Sequence, residues 1–139
     1  MKNVIYLHGA NADPDNFNYF TLKMPEHPFF SPAYDMEQDP YDLVEHVRMQ
    51  KERLWGKDKV VLIGHSFGGL LASWYASVYP RKVDHLVTIA TPWHGTPVAR
   101  ILGMIFRNRK VFDNTRPDAD VLKLLEEKTY NGKHTNIVC

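Results

Sequence analysis

Short runs of apolar, largely β-branched residues alternate along this chain with longer stretches in which apolar positions recur every three or four residues. The first pattern predicts strands buried on both faces and the second predicts amphipathic helices. Val4 to Leu7 reads as the opening strand, followed by a polar, turn-rich segment from Gly9 to Asn18. Phe29 to Asp35 holds a weaker strand that Pro32 interrupts, which makes it irregular or places it near an edge. From Asp39 a helix is expected. Pro40 suits its first turn, Leu43, Val44, Val47, Leu54 and Trp55 form one face against Glu45, Arg48, Lys51, Glu52 and Arg53, and Gly56 ends it.

Val60 to Ile63 is the next strand, and Phe67 to Tyr79 a helix apolar almost all round, ended by Pro80. Val83 to Ile89 is a further strand, leading into a loop from Ala90 to Pro97 that carries two prolines. Helices are expected from Val98 to about Phe106 and from about Asp118 to Lys128, separated by the basic patch Arg107, Arg109, Lys110. Asn136 opens a last strand, inside which the chain stops. This alternation predicts an α/β fold, a mainly parallel sheet with helices on both faces, in a single domain over residues 1–139. Stopping in a strand leaves the expected sheet C-terminally incomplete, with an apolar edge that favours self-association or completion by a second chain.

Charge and composition narrow the partners. A net charge of +1, with no basic stripe interleaved with aromatics, argues against nucleic acid. No segment is long enough to span a bilayer, and the short apolar run after Met1 lacks the features of a signal peptide. The single cysteine, Cys139, fits a reducing cytoplasm, and the scattered histidines show no zinc-binding spacing. No metal or organic cofactor is expected.

The chemistry concentrates at Gly64-His65-Ser66-Phe67-Gly68-Gly69. A Gly-x-Ser-x-Gly run between an apolar strand and a helix is a nucleophile elbow: the turn strains the serine backbone, and strand and helix pass too close for side chains at the flanking glycines. Ser66 is therefore the catalytic candidate, against the alternative of a helix N-cap serine. The backbone N–H of Phe67, at the helix start, is the first donor for an oxyanion.

Three motifs, VIYLHGA, GHSFGG and ATPWHGTP, occur in this order over roughly Val4 to Pro97. In them the chain resembles the lipase and esterase branch of the α/β-hydrolase superfamily. The resemblance implies a serine hydrolase that cleaves a carboxylic ester or related small acyl substrate through an acyl-Ser66 intermediate. It implies the N–H of Ala10 as second oxyanion donor, with His8 and Gly9 shaping that loop or making only a tight turn. His65 becomes a support of the elbow or else a core histidine. Trp93 and His94 lie in the Thr-Pro loop, His94 being open between pocket lining, a turn role and the catalytic base. Phe17 and Phe20 are open between an acyl pocket and the core.

The same resemblance places the acid and histidine after the nucleophile, each following a strand, and the chain ends before the expected acid. Asp113, Asp118, Asp120, His85, His94 and His134 are the post-elbow candidates. Asp118 and Asp120 read as capping acids, leaving Asp113 with His134 or His94. The alternative to an enzyme is a catalytically incomplete hydrolase-like module that binds an acyl ligand or a partner chain.

Overall fold

The computed structural model describes residues 1–9, 12–34, 38–91 and 130–138. Parallel strands build one sheet: β1 (Asn3–Leu7), β2 (Phe29–Phe30), β3 (Val60–His65), β4 (Val83–Ile89) and β5 (His134–Ile137), in the order β2-β1-β3-β4-β5. Every described pairing is parallel, with β1 and β3 matched from Asn3↔Val60 to Leu7↔Gly64 and β4 and β5 from Leu86↔His134 to Ile89↔Ile137. The expected Phe29 to Asp35 strand shrinks to two residues at the edge, as Pro32 dictates. The last strand begins at His134, two residues before the expected start, so His134 lies in it rather than ahead of it.

Alternation of side chains sorts the strands into two faces. Ile5, Leu7, Val60, Leu62 and Leu86 pack against Leu43, Val44 and Val47 of α2 (Pro40–Trp55) and Leu71, Trp74 and Tyr75 of α3 (Phe67–Val78). On the opposite face Val4, Tyr6 and Ile63 meet Phe17 and Phe20, which belong to a 3-10 turn (Pro14–Phe17) and the short helix α1 (Asn18–Lys23). Phe17 is buried with its ring 4.9 Å from that of Tyr6, which makes it core. Helices thus cover both faces, as a parallel sheet requires.

Asp39 caps α2 by accepting the Tyr41 N–H at 2.8 Å, and Gly56 closes it with φ 52°. The expected polar face of α2 needs correction. Lys51 is fully buried and Leu54 half exposed. Lys51 stands four residues after Val47, so it continues the buried stripe. Its stem lies inside while Nζ donates to the Gly56 carbonyl at 2.7 Å, satisfying an orphan acceptor of the helix end. The helix α3 is buried from Gly68 to Ala76, and no described helix is long and apolar enough to cross a membrane. The two helices expected after Pro97 and the basic patch between them lie outside the described residues.

Candidate active site

The candidate residues gather where the carboxyl ends of β1, β3 and β4 meet the amino end of α3, the position at which α/β sheets commonly open to ligands. Ser66 sits between β3 and α3 with φ 52° and ψ −119°. This positive φ is sterically disfavoured for a residue with a Cβ. Backbone hydrogen bonds hold it: the Ser66 N–H donates to the Ile89 carbonyl at 2.9 Å, and the Ser66 carbonyl accepts from the Gly69 N–H at 3.0 Å. Although Ser66 occupies the N-cap position, its side chain makes no capping hydrogen bond. Its hydroxyl is therefore not used in closing the helix.

Close backbone approach explains the glycines. A Cβ on Gly64 would overlap the Gly68 carbonyl, and one on Gly68 would overlap the carbonyls at the end of β1, those of Leu7 and His8. Three segments thus converge with no room for side chains. A Cβ on Gly69 would collide with the Thr91 side chain, so the start of the Thr-Pro loop packs onto the first turn of α3. Thr91 follows a second strained residue, Ala90, at φ 48°, whose N–H donates to the Ile137 carbonyl at 2.8 Å.

The loop after β1 runs against the elbow. A Cβ built on Gly9 would lie 3.3 Å from Ser66 Cβ and 3.3 Å from His65 Nδ1. His65 itself is exposed, beside this loop rather than in the core. His8 is buried, and its Nδ1 lies 2.9 Å from the Gly9 carbonyl, which makes Nδ1 the protonated nitrogen. The ring of Tyr34 stacks on His8 at 3.9 Å and 9°, while its hydroxyl donates to the His8 carbonyl. Burial pushes the Tyr34 phenol well above its ordinary range, keeping it a donor. Tyr34 escaped sequence reasoning because nothing local connects it to a residue 26 positions away.

The N–H of Phe67 belongs to the first turn of α3, where backbone donors lack partners within the helix and the dipole favours negative charge. Ala10, Trp93, His94 and Asp113 lie outside the described residues. The structure does not bring His134 to Ser66. It pairs with Leu86, three residues before Ile89, which puts it about 10 Å back along the sheet. Thr88 Oγ1 donates to Asn136 Oδ1 at 3.0 Å and lies 2.8 Å from His134 Nε2, so Nε2 donates to the threonine. Partial covering of its ring, with a smaller effect of neighbouring His85, holds the His134 imidazole below its ordinary pKa. His85 in turn lies 2.8 Å from Thr135 Oγ1 through Nε2. Among the described residues no group of His, Cys, Asp and Glu could hold a metal ion.

Comparison with known proteins agrees with this architecture. A family model described as the alpha/beta hydrolase fold matches residues 3–120. An abhydrolase domain-containing protein of Caenorhabditis elegans is 36% identical over 59 residues, 42% of this chain and 13% of that protein. A 1-acylglycerol-3-phosphate O-acyltransferase of Homo sapiens is 39% identical over 59 residues, 42% of this chain and 16% of its own length. The matched stretch is thus a minor part of either relative. Among solved structures, a monoacylglycerol lipase of Paleococcus ferrophilus superposes with a TM-score of 0.71 at 16% identity, over 98% of this chain and 72% of the lipase.

Proposed function

The chain belongs to the alpha/beta hydrolase fold family, and on that premise we propose that it is a serine hydrolase of the lipase and esterase type, acting on a carboxylic ester or related acyl compound. The observation that carries this reading is the strained Ser66, held at positive φ with its hydroxyl left out of the helix cap. In the proposed reaction Ser66 Oγ attacks the acyl carbon while its proton passes to an imidazole. The resulting oxyanion is held by the N–H of Phe67 and that of Ala10. Collapse of the tetrahedral species expels the alcohol, which takes the proton, and water then releases the acid from acyl-Ser66. No metal or cofactor enters this sequence. The relatives' names span lipase and acyltransferase, which fits an acyl-enzyme whose acceptor is water or another alcohol.

The imidazole and its acid belong to a segment outside the described residues, where His94 and Asp113 lie, or to a partner chain; a single cysteine at Cys139 suits work in the cytoplasm. The test is hydrolysis of p-nitrophenyl acyl esters by the protein and by Ser66→Ala. A loss on the order of 1000-fold or more with an unchanged melting profile supports the reading. Unchanged turnover overturns it.

The position of His134, about 10 Å back from the elbow and engaged with Thr88, favours one second reading. In it the chain is an inactive hydrolase-like module that holds an acyl ligand. Acyl-ligand binding undiminished by Ser66→Ala, without turnover, distinguishes it.

A further inference from the structure

We propose that a pocket at the opposite end of the sheet binds a phosphate monoester, gripped by Lys59 and Lys133. The parallel topology builds this site. Lysines directly precede β1, β3, β4 and β5, at Lys2, Lys59, Lys82 and Lys133, and parallel strands bring their amino ends together. A cavity of about 460 Å³ opens there, lined by Lys59, Lys133, Asp84, Ser77, Pro80 and Tyr130 among others.

The lysines are not equivalent. Lys82 is committed to Glu52 and to the face of Tyr79, 5.3 Å from its centroid. Lys2 Nζ pairs with Asp84 Oδ2 at 2.8 Å, so the carboxylate of the cavity wall is already neutralised. Lys59 and Lys133 make no ion pair among the described residues, and both lie near enough to Asp84 to help Lys2 hold its carboxyl below the usual range. Among the described residues, the ammonium groups of Lys2, Lys59 and Lys133 stand around the one carboxylate of Asp84, an excess of two positive charges. A phosphate monoester dianion cancels that excess, and its distributed oxygens accept from two separate ammonium groups.

The remaining walls suit an organic substituent. Tyr130 and Pro80 supply an apolar surface, and Ser77 Oγ, whose hydrogen goes to the Ser73 carbonyl at 2.8 Å, remains as an acceptor for a ligand hydroxyl. The site is separate from the elbow. The strand β4 runs from Val83 at the cavity to Ile89 beside Ser66, a span of about 20 Å.

The experiment is a titration of the full chain, carrying Ser66→Ala to prevent turnover, with phenyl phosphate and with inorganic phosphate, followed by amide NMR at low salt. Saturable shifts centred on Lys59, Asp84, Gly132 and Lys133 are expected, weakened about 10-fold or more in Lys59→Gln/Lys133→Gln and by added salt. Both lysines are exposed, so the double variant keeps its fold, checked by an unchanged spectrum elsewhere. No saturable binding, equal binding by the double variant, or shifts centred on Ser66 would overturn the proposal. Vesicles of phosphatidylcholine with and without phosphatidic acid identify the source. Lysine-dependent preference for phosphatidic acid assigns a lipid headgroup, and soluble binding without that preference assigns a free ester.

Discussion

Ser66 and Gly56 hold the same backbone angles, φ 52° and ψ −119°, one at the start of a helix and one at the end of another. At Gly56 the conformation is nearly free, because glycine lacks the Cβ that opposes positive φ. At Ser66 it costs roughly 1–3 kcal/mol. Replacing Ser66 with glycine therefore raises stability by about 1 kcal/mol, after the greater chain entropy of the unfolded glycine is subtracted. Activity is lost in the same variant, as expected where strain serves a site. Urea unfolding of Ser66→Gly beside the wild type checks this, and a stability loss contradicts it.

Gly68→Ala tests the close approach behind the elbow. Helix propensity alone favours alanine by about 1 kcal/mol. Overlap with the Leu7 carbonyl outweighs that gain, because backbone cannot rotate aside as a side chain does. The net effect is a destabilisation of about 2 kcal/mol, read from the urea midpoint. A stabilised variant would show that β1 and α3 leave room for a Cβ at Gly68.

Tyr75 is fully buried, and among the described residues its hydroxyl finds no hydrogen-bond partner. Its phenol pKa is pushed up, chiefly by burial. Tyr75→Phe removes the unsatisfied group while keeping the ring, so a gain of about 1 kcal/mol is expected at unchanged denaturant slope. An equal loss would mean that the hydroxyl is satisfied in solution.

Acidification should weaken the fold in two stages. The folded-state pKa of His134 is depressed by the partial covering of its ring and by His85, so the unfolded chain takes up this proton first as pH falls below the free value of 6.5. Stability is unaffected by this group above that pH and declines through it toward the folded pKa. A second decline follows below pH 4.5, where Glu45, held down mainly by its hydrogen bond from Arg48, and Glu52, held down mainly by Lys82, become protonated. His134→Gln removes the first stage and leaves the second. Melting temperature against pH for both proteins reads this out, and identical profiles contradict it.

What sequence revealed follows from what each element buries. The strands β1 and β3 are buried enough that Val4 to Leu7 and Val60 to Ile63 are unbroken apolar runs, and α3 is apolar almost all round, whereas β4 buries Val83, Leu86 and Thr88 and carries the half-buried Asp84 and His85 between the first two. The helix α1 has no such signature, since Tyr19 and Leu22 are exposed in a helix of six residues. Its one local cue is Asp13-Pro14, where the aspartate accepts the Asp15 N–H at 2.9 Å to start the preceding turn. The strand β5 is largely exposed, with only the His134 ring partly covered, and shows no alternation, so nothing local marks His134 as its first residue. Ser66, Gly64 and Gly68 were legible because the constraint among them is local. The stacking of Tyr34 on His8 and the strained Ala90 were not, since one is a long-range contact and the other an ordinary residue held by its neighbours.

The most direct test of Ser66 as nucleophile is reaction with a fluorophosphonate, followed by peptide mass spectrometry. One adduct is expected, on the peptide that carries Ser66, absent from Ser66→Ala and slowed by an ester substrate. An unlabelled protein across the accessible pH range, or an adduct that survives Ser66→Ala, would contradict it.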